Sequence, residues 1–381
     1  MSVHYLDNNA TTRVLPQVME AMQPWFCEHY GNPASSHPLG QHARQALIAA
    51  RACVAAFLQA GPAEIVFTSG ATESNHMAIL GALQANPSRR KIVTSAVEHS
   101  STLRLLAQLA AQGVEVVKVP VNHLGGLDMP ALAAAVTPDT ALLTLMHANN
   151  ETGVIFPVAE AAAIAHAHAV PLHIDAAQSA GKIPLSVGQF GCNFLSFSGH
   201  KLHAPKGVGV LYVRKGAALQ PLLYGHQERN RRGGTENLPG IIGLAAACRL
   251  AQEHMNAHDA GLAGLRDRLQ SGILSSLPFA RVNGSEPRVP NTTNICLPGL
   301  HGEEFLHRLG QAGIMASQGS ACTAGGTEPS HVLLAMGLSR EDALSSVRFS
   351  LSHETTLTDV DAVTGAVAAI SRQMMPGLLV A

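Results

Sequence analysis

An excess of charge of either sign is missing from this chain. Lys and Arg total 25 against 26 Asp and Glu. No basic field is present to gather nucleic acid or anionic lipid, so no direct nucleic-acid partner is expected, and any phosphate ligand must be held locally. Long apolar runs are missing too. Stretches such as ALLTLMHA fall far short of a bilayer span, so no membrane association is expected. The opening MSVHYLDNNATTRVLP has neither a basic n-region nor an apolar h-region. It does not read as a signal peptide, and a cytoplasmic location is expected. Paired cysteines are also absent. Cys27, Cys53, Cys192, Cys248, Cys296 and Cys322 are scattered without a CxxC, which argues against a zinc site and against a disulfide framework. Histidine is plentiful at 20 residues. His166 and His168, however, stand two apart on an expected helix and face different ways, so they read as surface or packing residues rather than metal ligands.

What is present suits a large, well-buried α/β enzyme. Hydrophobic residues make up 46% and charged residues 13% of 381, which excludes a disordered chain and allows one large domain plus a smaller one. From about residue 60 to 215, short β-branched runs (EIVFTS, KIVTSA, VEVVKVP, TALLTLMHA, VPLHIDAA, NFLSFS, GVGVLYV) alternate with Ala/Leu-rich helical stretches. That alternation predicts a mostly parallel sheet covered on both faces. A Gly-, Arg- and Asn-rich segment at 215–238 reads as a long functional loop, followed by one long helix over about 239–275. The remainder has fewer strands (ARVNG, TTNICLP, SVRFSLS) and reads as a smaller α+β domain. The expected division is residues 1–15 as a segment packing with the small domain, 16–260 as the large domain and 261–381 as the small one.

In an open parallel sheet, ligands bind beyond the carboxyl ends of the strands. The segments there are polar: TSGATES, EHS, ANNETG, DAAQ and SGHK. Lys201 follows a strand end, where desolvation favours a neutral amine able to form a Schiff base. Asp175 ends an apolar strand 26 residues earlier. It could pair with a protonated ring nitrogen, as pyridoxal phosphate requires, or simply cap a helix. The spacing suits two neighbouring strands sharing one site. SGATES offers a Gly turn, helix-start amides and the Thr72 hydroxyl for a phosphate, with Ser198 and His200 as further donors; the same residues also resemble a capping box. His99 could lie on a flat ring and move protons, or cap a helix. Asn149 and Asn150 could bind a ring oxygen or a carboxylate, or form a turn. Arg348 suits a substrate carboxylate or a structural ion pair. Cys322 then has a use: a thiol on a loop of small residues can receive a group from the site and hand it on.

Taken together, these motifs resemble the pyridoxal-phosphate-dependent cysteine desulfurases of the NifS/IscS type, within the class V aminotransferase family. The resemblance runs through YLDNNATT, YGNPASSH, FTSGATESN, VEH, ANNETG, DAAQ, SGHKLHAPKGVGVLY, RRGGTEN, GSACTAGGTEPSHV and VRFSLS, nearly the whole chain. HKLHAPKGVGVLY and GHQER look more like the nitrogen-fixation branch than the housekeeping one. The resemblance implies fold type I of the pyridoxal-phosphate transferases, with a seven-stranded sheet in the large domain. It implies Lys201 as the cofactor-holding lysine, Asp175 on the ring nitrogen, Gln178 on the ring hydroxyl and His99 on the ring face. It implies Ala71 (through its amide), Thr72, Ser198 and His200 on the phosphate, with Thr235 reaching the phosphate of a partner subunit in a homodimer. Asn150, placed with the cofactor set, and Arg348 would hold the substrate carboxylate. The implied reaction turns L-cysteine into L-alanine and leaves a persulfide on Cys322, itself a candidate transient cluster ligand in a chain without a resident metal. The sulfur would pass to an acceptor such as an iron–sulfur scaffold protein.

Two features depart from the family pattern. The loop reads Cys-Thr-Ala-Gly-Gly where Cys-Thr-Ser is common, and QMMPGLLVA is shorter than the tail with which IscS-type members dock their scaffold. Two rivals remain at this level: an aminotransferase or selenocysteine lyase of the same fold, and a catalytically silent partner of a sulfur-transfer complex. An aminotransferase has no use for Cys322. The retained Lys201, Asp175, His99 and Cys322 speak against a silent partner.

Overall fold

In chain order the strands are β1 (His4–Tyr5), β2 (Ile65–Thr68), β3 (Lys91–Ser95), β4 (Glu115–Val119), β5 (Thr140–Met146), β6 (Leu172–Asp175), β7 (Phe194–Ser198), β8 (Gly209–Val213), β9 (Arg281–Asn283), β10 (Thr292–Cys296), β11 (Ile314–Met315) and β12 (Ser346–Ser350). They belong to a computed structural model that describes residues 3–258, 261–285, 287–319 and 328–375. The seven apolar runs of the first half form one sheet, ordered β2-β8-β7-β6-β5-β3-β4. β8 runs antiparallel to both of its neighbours, and the other pairings are parallel. The sheet is therefore mixed but mostly parallel. Every strand except β8 delivers its carboxyl end to the same edge.

Packing explains why these runs became strands. All seven residues of β5 are buried, as a strand covered on both faces must be. One core cluster on the sheet includes Leu143, Leu145, Ile174, Leu195 and Phe197. The other includes Val66, Ile92, Leu142, Phe194 and Leu211. Each fully buried aliphatic side chain of this kind contributes about 1.5–3 kcal/mol.

A third cluster joins Leu6 to Ile295, Phe305, Val347, Phe349 and Val363. It lies around the smaller sheet β12-β10-β9 and the helices Gly302–Gln311 and Leu357–Met374. β1 pairs in parallel with β11. The next residues cross to the large sheet: Asn8 N–H donates to Ser350 O at 3.1 Å and Thr12 N–H to His200 O at 2.9 Å.

The segment expected as one long helix over about 239–275 is helical over Leu238–His258 and Gly261–Ser276, with residues 259–260 outside the described ones. Leu238, Ile241, Leu244 and Ala247 belong to the core of the large sheet, whereas Leu269 and Ile273 belong to that of the small one. His166 is exposed, and the described residues contain no cluster of three or more His, Cys, Asp or Glu able to hold a metal. No described helix is long and apolar enough to cross a membrane.

Candidate active site

The shared edge of the large sheet opens into a cavity of about 560 Å³. Parallel pairing of β6 with β7 sets Asp175 opposite Ser196, so two strand ends a short turn apart carry Asp175 and Lys201. Of the residues singled out from the sequence, Ala71, Thr72, His99, Asn150, Asp175, Gln178, Ser198, His200 and Lys201 all line this cavity. Four others do not. Asn149 is buried in a turn, its Oδ1 accepting from Glu151 N–H and Thr152 N–H. Arg348 lies behind it and touches it through Asn150. Thr235 is exposed beside a separate pocket with Ser69 and Gly207. Cys322 is outside the described residues, as are its neighbours over 320–327.

Lys201 Nζ donates to two backbone carbonyls of the N-terminal segment, Asn9 O at 2.5 Å and Ala10 O at 2.8 Å. Asp175 is buried, with one carboxylate oxygen accepting from Asn75 Nδ2 at 2.6 Å and the other from Ala177 N–H at 2.9 Å. A carboxylate fixed by two donors is held in one orientation, as a partner for a ring cation must be. Helix Ala71–Ala85 begins at the cavity wall. Its Glu73 reaches back to Ser69 N–H and pairs with Arg232. Gly209 packs so tightly against this turn that a Cβ there would lie 2.5 Å from Gly70 Cα. The helix start is thereby clamped open toward the cavity, where an anion is favoured.

The segment after β8 is pinned as well. Arg51 makes a bidentate pair with Glu228, at 2.6 and 2.7 Å, and Glu228 also accepts from Phe67 N–H. Glu228, Arg229 and Asn230 all have positive φ, at 48°, 58° and 64°. Non-glycine residues adopt that conformation only where the surroundings over-determine it. The anchored turn is what presents Thr235 outward.

His99 caps helix Ser100–Ala111. Its Nδ1 accepts from Ser101 N–H at 3.3 Å and meets Ser101 Oγ at 2.8 Å. Accepting a backbone N–H at Nδ1 places the ring proton on Nε2. Burial holds the His99 pKa below its ordinary value, and the nearby Lys201 and His331 act in the same direction while Asp175 opposes them. Burial, with Lys201 and Lys206, lowers His200 to about 4. Both rings are thus neutral donors rather than cations.

Several residues of the site were not singled out from the sequence. Asn75 is polar on the buried face of its helix, beside Ala78, Ile79 and Ala82, and that misplaced polarity is the signal that could have found it. Asn9 and Lys182 meet beneath Gln178. Asp7 pairs with Arg348 Nη2 at 2.7 Å, while Arg348 Nη1 donates to Asn150 O and Gly319 O at 2.9 and 2.8 Å. Glu151 accepts from Ser330 Oγ, the N-cap of helix His331–Ala335.

Glu98 is fully buried. Its Oε1 accepts from Ser95 Oγ at 2.6 Å and Met146 N–H at 3.0 Å, and Oε2 is an orphan among the described residues. Burial pushes its pKa up to about 8, reinforced by Asp175. A folded pKa above the unfolded one means stability present below about pH 4.5 and lost as pH rises toward 8. Glu98→Gln keeps the Oε1 acceptor and has no proton to lose. Its melting temperature relative to the parent should therefore climb between pH 5 and pH 8, then level off. The limit is a few kcal/mol, at ~1.4 kcal/mol per pKa unit. A gap between the two proteins that stays constant with pH would refute the buried, protonated acid.

The donor set suits pyridoxal phosphate: an amine, a buried oriented carboxylate across from it, a neutral imidazole and a helix start with nearby hydroxyls around one cavity. Comparison with known proteins agrees. The class V aminotransferase family model matches residues 4–363. A cysteine desulfurase of Trichormus azollae is 48% identical over 365 residues, covering 95% of this chain and 91% of its own. The cysteine desulfurase NifS of Azotobacter vinelandii is 47% identical over 373 residues, covering 97% and 93%. A solved NifS-like protein superposes with a TM-score of 0.91 at 37% identity, covering 97% and 99%. With near full-length identity of this order on a shared site architecture, the chain belongs to the cysteine desulfurases of the class V aminotransferase family.

Proposed function

We propose that this protein converts L-cysteine to L-alanine and takes the sulfur onto Cys322 as a persulfide for delivery to an acceptor protein. The observation that carries this reading is the meeting of Lys201 and Asp175 across β6 and β7 in one cavity. Family membership implies dependence on pyridoxal phosphate, which when bound supplies an electron sink for the carbanion formed at the substrate α-carbon.

The chain's own residues do the rest. Lys201 Nζ holds the cofactor, then carries the substrate α-proton once released. Asp175, fixed by Asn75 and Ala177, keeps the ring nitrogen protonated. Gln178 meets the ring hydroxyl. The Ala71 amide, Thr72, Ser198 and His200 bind the phosphate. His99 covers the ring and moves a proton at Nε2. Asn150 and Arg348 orient the substrate carboxylate.

Thr235 serves the phosphate of a second copy. A homodimer is further supported by exposed apolar side chains, including Phe26, Tyr30 and Tyr224 at 58%, 69% and 81% exposure. The acceptor we favour is an iron–sulfur scaffold protein, with nitrogen fixation as the setting suggested by the NifS relative.

Incubating the purified protein with pyridoxal phosphate, L-cysteine and a thiol reductant should release alanine and sulfide in equal amounts. Pyruvate and ammonia in place of alanine, or amino-group transfer without sulfide, would overturn the assignment.

A further inference from the structure

Beneath Gln178 sits a lysine that the proposed chemistry does not use. Lys182 Nζ donates to Gln178 Oε1 at 2.7 Å and to Asn9 Oδ1 at 2.8 Å. It lines not the cofactor cavity but the neighbouring cavity of about 490 Å³, on the other side of Lys201. Its placement is built. Gly181, with φ of +76°, turns the chain where a Cβ would come within 2.9 Å of Leu202 Cβ, and Lys182 thereby returns under the residue four positions before it.

The orientations of both amides are over-determined. Asn9 Nδ2 donates to Asn150 O and Thr292 Oγ1, at 3.2 and 2.9 Å, and its Oδ1 also accepts from Asn291 Nδ2 at 3.1 Å. Gln178 Nε2 donates to Asn9 O at 3.0 Å, the same carbonyl that receives Lys201 Nζ. A backbone carbonyl can only accept, and Lys182 Nζ, whose pKa burial lowers well below its ordinary value with Lys201 and Arg348 acting in the same direction, carries N–H donors whether charged or neutral. Gln178 must therefore turn its oxygen to Lys182 and its nitrogen to the Asn9 carbonyl. What remains for the cavity is the second N–H on Nε2.

We propose that Lys182 is a positioning residue that locks the Gln178 amide so that it offers a hydrogen-bond donor, never an acceptor, to the cofactor's ring oxygen. The inference rests on the cofactor reading above and deepens it. A donor at that oxygen stabilises its anionic form. An oxygen so satisfied attracts the proton of the neighbouring lysine–cofactor linkage less, and the linkage titrates at lower pH. Without Lys182 the Gln178 oxygen loses its donor and the amide keeps only the Nε2–Asn9 O bond, so a flip that presents the oxygen becomes less costly and the linkage should hold its proton to higher pH.

The test is a pH titration of the visible absorption of the cofactor-loaded protein, comparing parent, Lys182→Met, Gln178→Met and the double variant. Lys182→Met should raise the midpoint by about one pH unit, the size of one neutral hydrogen bond. In the Gln178→Met background the same substitution should add little, because its lever has been removed. Lys182→Arg, which keeps a donor-only side chain, should remain near the parent value, and it carries the comparison if Lys182→Met fails to fold. An unchanged midpoint in Lys182→Met, or a shift that persists in full without Gln178, would overturn the proposal. A parent protein that develops no visible band with pyridoxal phosphate would overturn the cofactor reading itself, a distinguishable result.

Discussion

Lys201→Ala is expected to lower alanine formation from L-cysteine by about 10³-fold or more, since it removes both the covalent tether and the base for the α-proton. The structure gives a reason to expect a clean loss of chemistry rather than of fold. Lys201 stands at a cavity edge on the short turn Gly199–Lys201, and its Nζ donates to two carbonyls of the N-terminal segment. Those carbonyls keep other donors: Gln178 Nε2 still serves Asn9 O. Asp175, the start of helix Ala71–Ala85 and the neutral His99 do not depend on the lysine for their positions. The variant should therefore still bind pyridoxal phosphate, non-covalently and removable by dialysis. Alanine measured at saturating L-cysteine, together with cofactor retained after dialysis, checks both halves. Activity within tenfold of the parent would place the essential amine elsewhere, with the buried Lys182 the next to examine.

Cys322→Ala should abolish release of both alanine and sulfide, by at least ~10²-fold, while leaving the first spectral change on adding L-cysteine intact. Cys322 lies outside the described residues, but the chain on either side of it is firmly placed. On one side Gly319 O accepts from Arg348 Nη1, and Gly319 is so close to Glu151 that a Cβ there would collide with its carboxylate. On the other, Ser330 donates to Glu151, and His331 Nε2 lies 3.0 Å from Glu98 O, next to His99. The guanidinium that holds Gly319 also touches Asn150, a residue of the cavity wall. Serine should not substitute, because the step forms a sulfur–sulfur bond and draws on thiolate nucleophilicity. Rapid-mixing absorbance separates substrate binding from sulfur transfer. A variant that still makes alanine at the parental rate would mean that sulfide leaves without passing through this thiol.

Much of this site was legible in one dimension because sheet topology converts sequence order into position. Polar groups that follow apolar β-strands in a parallel sheet must emerge at one edge. Asp175, Lys201, His99, Asn150 and the Ala71–Thr72 turn could thus be nominated and placed from strand-end position alone. The motif resemblance gave them specific roles, and gave Cys322, noticed as a thiol among small residues without a strand signal, the role of sulfur acceptor.

Tertiary structure decided what strand periodicity does not encode. The division of burial between Leu238–His258, packed on the large core, and Gly261–Ser276, packed on the small one, is a property of packing and not of local propensity. The antiparallel setting of β8 brings Gly209 against Gly70 and so shapes the turn that opens helix Ala71–Ala85. Asn9 lies 192 residues from Lys201 in sequence, yet it joins Lys201, Gln178 and Lys182 in one network. Such partners are chosen by long-range contact between side chains whose types alone, Asn and Lys, are common on any surface. The sequence by itself determined the fold class and which strand ends share the cavity edge, because hydrophobic pattern and strand order leave few alternatives. Only the folded chain decided how those groups are held and which protons they present, because hydrogen-bond direction is a property of atoms in space.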